Sequence, residues 1–173
     1  MAKKPTRRGH KTTANRLGAQ IINRRASFDY ELGDILTVGL QLTGAETKAA
    51  RLGHVQLRGS YVTPKENSVT KKAELYLINA SFSIATNVPK SSGEKPTTVD
   101  TRARKILAKR KEIDRLAMAR ASGQTIIPTK LLTNGHYIKL VIALGKGKKN
   151  YDKRASIRRR DTERDNAKFL KRL

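Results

Sequence analysis

Apolar residues in this chain are confined to one stretch. From Ile21 to Leu144 they recur at the spacings of strands and helices. Beyond Gly145-Lys146-Gly147-Lys148-Lys149-Asn150-Tyr151-Asp152-Lys153-Arg154 they almost vanish until the last five residues. A packed core must therefore be built from residues 21–145. The flanks, a basic arm at 1–20 and a basic tail at 146–173, cannot bury enough apolar area to fold alone. At 173 residues, a single domain is the expected count.

Charge limits the partners. Lys and Arg number 38 against 14 Asp and Glu, a net +24. A field of that strength attracts polyanions, and counterion release makes it adhere to phosphate. No apolar run is long enough to span a bilayer, and the N-terminus lacks the apolar segment of a secretory signal. There are no cysteines, which excludes disulfides and thiolate metal sites. The simplest class is a cytoplasmic, monomeric RNA binder with no membrane partner.

Along the body, Ala26-Phe28-Tyr30-Leu32 alternates loosely and Ile35 to Leu42 alternates at period two, with Gly33-Asp34 as a turn signal between them. This predicts two strands. Thr43-Gly44-Ala45-Glu46 is a capping box opening a short helix that Gly53 ends. Val55-Leu57 and Tyr61-Val62 suggest a strand bent at Gly59-Ser60. Pro64 to Lys72 is expected as a loop, and Ala73 to Ala80 as a central strand, apolar on both faces. Residues 87–99 form a Pro/Ser/Gly linker long enough to be mobile. Asp100 or Thr101 caps the longest expected helix, with Ala103, Ile106, Leu107, Ile113, Leu116 and Ala117 on its core stripe and basic residues, Arg104 among them, outside. Two runs, 125–132 and 137–144, flank Asn134-Gly135, the strongest hairpin signal in the chain. About six short strands and two helices imply a mainly β fold with flanking helices. An OB-like antiparallel β-barrel disposes of the edge strands of such a set.

No catalytic constellation is visible, and no enzyme activity, cofactor or metal site is expected. His10, His54 and His136 have no metal-ligand spacing, and Gly39 and Gly44 are followed by Ala45-Glu46 where a P-loop needs Lys-Ser/Thr. RNA recognition is better supported. Phe28 beside Arg24 and Arg25 suits stacking on an unpaired base. Tyr30 and Tyr61 are expected in the core. The tail, with twelve Lys/Arg against four Asp/Glu, is expected to be disordered when free. It carries a latent helix capped at Thr162, with Asn166, Phe169, Leu170 and Leu173 on one stripe.

Several motifs occur in one order: Asn23-Arg24-Arg25-Ala26, Leu42-Thr43-Gly44-Ala45-Glu46-Thr47-Lys48, Arg51-Leu52-Gly53, Ser60-Tyr61-Val62, Asp100 to Leu107, Lys111-Glu112-Ile113, and Gly145 to Lys149 through Asp152-Lys153-Arg154. Together they resemble the SsrA-binding (small protein B) family of bacterial trans-translation, over residues 22 to 165. The resemblance implies an OB-fold barrel and a partner, transfer-messenger RNA, bound at its tRNA-like domain. It implies delivery to a stalled ribosome, where the tail lies in the vacant mRNA channel, becomes helical and so senses that the channel is empty. Small-subunit rRNA is then a contact, and elongation factor Tu an indirect one through charged transfer-messenger RNA. The implied RNA-binding residues are Arg24, Arg25, Phe28, Leu107, Lys109, Lys146, Lys148 and Lys149. The implied ribosome-contacting tail residues are Tyr151, Asp152, Lys153, Arg154, Phe169 and Leu170. The chain departs from the family at Phe28, where His is frequent, at Thr37, where Glu is common, and at Lys109, where a neutral polar residue or His is usual.

Overall fold

A computed structural model describes residues 20–68, 71–85 and 97–149, with Arg154, Arg158, 161–163 and 165–166 in the tail. Within 20–149 the described residues form ten strands and three helices. They run β1 Ile21–Ile22, α1 Arg24–Asp29, β2 Tyr30–Leu40, α2 Gly44–Arg51, β3 Val55–Gln56, β4 Tyr61–Glu66, β5 Ala73–Ile78, β6 Ser81–Ala85, β7 Thr97–Asp100, β8 Arg104–Leu107, α3 Arg110–Ala121, β9 Thr125–Leu132 and β10 Lys139–Gly147.

The main sheet is antiparallel and runs β1-β9-β10-β2-β8-β5-β4. It curls into a ring, because β4 also meets β9, with Val62 opposite Ile126. This is the closure expected of an OB-like barrel. Its interior is filled by alternate residues of every strand, including Val38, Leu40, Val62, Leu75, Leu77, Ile106, Ile126, Leu131, Leu140 and Ile142, all buried. A smaller sheet, β3-β6-β7, lies beside it, with Phe82 buried. Helix α2 buries Ala49 and Ala50, small residues that let it approach closely. Its capping box is formed as the sequence predicts: Thr43 N–H donates to Glu46 Oε2 at 2.7 Å, and Glu46 N–H to Thr43 Oγ1 at 3.4 Å. Gly53 follows at φ +79°, where a side chain would be strained.

Four expectations are overturned. Ala26 does not open a strand. It is the buried residue of the short helix α1, whose C-terminal end is closed by Lys148. Gly33-Asp34 is not a turn: β2 continues through it along β10, with a register shift there that sets both residues opposite Leu144 alone. Pro64 does not start a loop, because β4 continues to Glu66. Only Val62 of β4 meets β9, so a residue without an N–H is tolerated at Pro64. The long helix expected from Asp100 is two elements. Residues 104–107 form β8 between β2 and β5, and α3 begins only at Arg110, with Lys109 as N-cap and its N–H donating to Glu112 at 2.8 Å. Apolar spacing alone could not separate these, since Ala103, Ile106 and Leu107 fit a short strand and a helical stripe equally well. Ring closure requires the strand.

The other segments divide. The hairpin around Asn134-Gly135 is present, but residues 133–138 form its connection rather than a two-residue turn. Strand β7 takes the last residues of the expected 87–99 linker, and the rest of that segment lies outside the described residues. Arg154, Arg158, Asp161, Thr162, Glu163, Asp165 and Asn166 are helical and exposed. Thr162 is not a cap there, since its hydroxyl donates back to the Arg158 carbonyl at 3.0 Å. Among the described residues no helix is long and apolar enough to cross a membrane.

Gly145 is needed inside β10, not for leaving it. A Cβ there would sit 2.6 Å from Ile127 Cδ1 and 3.3 Å from Tyr30 Cβ. Gly145→Ala is expected to destabilise by about 1–3 kcal/mol, the usual range for overpacking, as read by urea unfolding. An unchanged midpoint would mean that Ile127 simply rotates away.

Candidate nucleic-acid interface

Residues opposite one another in an antiparallel pair project from the same face. Across the ring, Leu132 faces Lys139, Lys139 faces Gly39, and Gly39 faces Leu107. The next row is Ile22, Lys130, Val141 and Thr37. Inward neighbours of these rows, Leu131, Leu140, Val38 and Ile106, are buried, so both rows lie on the outside. Leu107 and Ile22 are each 53 % exposed, with Lys130, Lys139 and Thr37 exposed beside them. Gly39 leaves the room that Leu107 occupies: its absent Cβ would lie 3.2 Å from Leu107 Cβ. The result is a broad strand face, apolar with lysines set into it, without an acidic residue in either row.

This face continues into α1. A concavity of about 670 Å³ is lined by Ile22, Arg24, Arg25, Phe28, Leu32 and Lys130, among others. Phe28 is half-buried, with the Arg25 guanidinium 5.1 Å from its ring centre. Arg25 also pairs with Asp29 at 3.2 Å. Lys148 donates from its backbone to the Asp29 carbonyl and from Nζ to the Ser27 carbonyl, both at 2.9 Å. A cation at the carbonyl end of a helix is electrostatically favoured, and this one ties the exit of β10 to α1. Lys146 lies opposite Glu31 on β2.

The implied residues therefore fall into two groups. Arg24, Arg25, Phe28 and Lys148 gather around α1, with Lys146 and Lys149 just along the chain. Leu107 stands at the far side of the strand face, with Lys109 exposed at the start of α3. Lys130, Lys139 and Ile22, which sequence reasoning missed, join the two groups. Their only sequence signal is period two, which makes them outward neighbours of core residues. It says nothing of which strands lie side by side. Tyr61 is also corrected, because it is 41 % exposed rather than core. Tyr151, Asp152, Lys153, Phe169 and Leu170 lie outside the described residues, and Arg154 is exposed.

The edge of the face is positioned by a buried ionic cluster. Glu46 and Arg104 are fully buried and paired at 2.8 Å. Arg102 adds two bonds to the same carboxylate, at 2.9 and 2.7 Å. Arg104 also donates to the carbonyls of Ala80, Arg102 and Asp100, pairs with the Asp100 carboxylate at 3.3 Å and lies 3.9 Å from the Phe82 ring centre. Burial pushes the Glu46 carboxyl up. Hydrogen bonds from Arg102 and the Thr43 N–H, with the charge and hydrogen bond of Arg104, outweigh it and hold the group at about 2. The cluster fixes the start of β8, whose last residue is Leu107. On β5, Glu74 accepts from Lys105, Tyr76 and Asn67, which lower its carboxyl to about 2. That carboxylate is neutralised within its own strand layer.

The model of the SmpB protein family matches residues 20–172. An SsrA-binding protein of Oenococcus oeni is 40 % identical over 152 residues, covering 86 % of this chain and 90 % of its own length. One of Parabacteroides distasonis is 40 % identical over 158 residues, covering 88 % and 94 %. A solved structure described as "tmRNA-SmpB: a journey to the center of the bacterial ribosome" is 32 % identical, with a TM-score of 0.53, over 78 % of this chain and 86 % of that one. With a strand ring, a basic outer face and a match spanning nearly the whole sequence, this chain belongs to the SmpB family.

Proposed function

We propose that this protein binds the tRNA-like domain of transfer-messenger RNA and delivers it to stalled ribosomes for trans-translation. The observation that carries this reading is the continuous face from Leu107 through Lys139 and Lys130 to α1, whose lysines are suited to phosphate and whose Leu107, Ile22 and Phe28 are suited to sugar and base surfaces. The relatives named SsrA-binding proteins and the tmRNA-SmpB structure support it. Apolar groups amid the charge matter, because a purely basic surface cannot tell one RNA fold from another.

The chain acts as a monomer in the cytoplasm, without cofactor or catalysis. Residues 21–145 form the RNA-binding body, and 146–173 form a tail that contacts small-subunit rRNA, folds in the empty mRNA channel and thereby senses it. Elongation factor Tu is met only through the charged RNA.

The test is binding of the full-length chain to the tRNA-like domain and to an ordinary tRNA across a salt series. The tRNA-like domain is expected to be preferred at near-physiological salt and above. Lys139→Ala is expected to weaken binding and to lower the log–log salt slope by about 1. Leu107→Ser is expected to reduce the preference with the slope unchanged. Equal binding of both RNAs, lost together as salt rises, would leave only electrostatics and favour a structural ribosomal protein that glues rRNA.

A further inference from the structure

On another side of α1 lies a second concavity, of about 310 Å³, that the face described above does not use. Five elements contribute to it: Arg25 and Asp29 from α1, Tyr30 from β2, Tyr61 from β4, Arg120 near the end of α3, and Thr125 and Ile127 from β9. Its floor includes Ser60, whose hydroxyl is turned away to the Leu57 carbonyl at 2.6 Å. Tyr61 projects into solvent although its strand neighbour Val62 is buried. Among the described residues, neither tyrosine hydroxyl has a hydrogen-bond partner, and Arg120 makes only a 3.4 Å contact with the Gln124 carbonyl. Two phenol rings, the Arg120 guanidinium and an Arg25 guanidinium paired with Asp29 at 3.2 Å thus border one opening of a size suited to a small planar ligand.

We propose that this cavity is a nucleotide site that takes one unpaired base, stacked on Tyr61, with its phosphate held by Arg120 and Arg25. A phenol face accepts any base by stacking, and a guanidinium holds phosphate through paired N–H donors. A base inside a duplex presents no free face, so the site selects unstacked nucleotides. The same chemistry is carried by a free mononucleotide and by an unpaired residue of bound RNA. This inference rests on the proposal that α1 faces RNA, because Arg25 borders both concavities.

The experiment uses the full-length chain with ring-labelled tyrosine, at near-physiological salt. It is titrated with 5′-AMP, with single-stranded hexaadenylate, and with an RNA duplex of equal phosphate content. The Tyr61 ring resonance, assigned by its loss in Tyr61→Phe, is expected to shift with AMP and with the hexamer, and not with the duplex. A hexamer carrying 2-aminopurine is expected to be quenched on binding. Tyr61→Leu and Arg120→Ala should each weaken that quenching titration by roughly tenfold, while Tyr61→Phe keeps it. Arg120 is exposed on a helix, so its variant stays informative should Tyr61→Leu fold poorly. A hexamer much tighter than AMP assigns the site to RNA, and equal binding assigns it to a free nucleotide. The inference is overturned if Tyr61 is unmoved by both AMP and hexamer, or moves equally with the duplex. Preference for the tRNA-like domain is measured separately on the unmodified chain. Its absence alongside a Tyr61 shift would sink the proposed function and leave the cavity standing.

Discussion

Glu46→Ala is expected to lower the free energy of unfolding by about 3 kcal/mol. Removing one member of a buried ion pair typically costs about 3–5 kcal/mol, because the other charge stays buried without its counterion. The lower end applies, since Arg104 keeps the Asp100 carboxylate at 3.3 Å and three carbonyl oxygens. The half of the capping box in which the Thr43 N–H donates to the Glu46 carboxylate is lost as well, while the Glu46 N–H still donates to Thr43 Oγ1. Glu46→Gln preserves the shape and one acceptor, so it should destabilise less than the alanine. Urea unfolding with an unchanged slope would report the difference as a shift in midpoint. If Glu46→Ala were neutral, the cluster would contribute nothing beyond packing. The pH dependence has a definite sign. The folded carboxyl titrates at about 2, below its ordinary 4.5, so the unfolded chain takes up the proton first. The stabilisation from Glu46 is complete above about pH 4.5 and is lost as pH falls from there through about 2. Glu74, lowered by Lys105, Tyr76 and Asn67, adds a smaller loss in the same window.

Replacing Asp152, Lys153 and Arg154 together with alanine is expected to abolish tagging of stalled products while leaving binding to the tRNA-like domain nearly intact. The body and the tail would grip different partners. The strand face and α1 come from residues 21–145, and Asp152, Lys153 and Arg154 follow the point where Lys148, near the start of the tail, is tied to α1. On the proposed function, tail contacts hold a segment with little apolar content of its own, and they form only where rRNA phosphate is not already covered by message. Loss of three adjacent charged side chains at the root removes the start of those contacts. The measurements are a tagging assay in a reconstituted translation system and a binding titration of the same protein. Joint loss of both would mean that the RNA-binding surface extends into 152–154.

The parts of this molecule that were legible in advance are those governed by local chemistry. Thr43 with Glu46, Gly53 after α2, and the Asn134-Gly135 hairpin are short-range devices, and each stands where its residues predict. What stayed hidden depends on partners distant in sequence. Arg104 reads as a solvated charge on a helical stripe, yet it is a fully buried strand residue, because Glu46 lies 58 positions away in sequence. Arg24, Arg25 and Phe28 were visible as a basic-aromatic cluster. Lys130 and Lys139 were not, because ordinary outward lysines become a site only when β9, β10, β2 and β8 lie side by side. Tyr61 was misplaced for a similar reason. Alternation assigns a residue to one of two faces, and which face meets solvent depends on ring closure.

The order of strands in the ring differs from their order in the chain. Strand β10 is the last of the ten to be synthesised, yet it stands between β9 and β2, in the middle of the candidate RNA face. Until it is made, Lys139 is absent and the two parts of that face, Lys130 on β9 and Leu107 on β8 beside β2, lack the strand that joins them. A growing chain therefore carries loose positive charge but no assembled surface. On the proposed function, recognition of a folded RNA requires β10 and so follows synthesis of nearly the whole body.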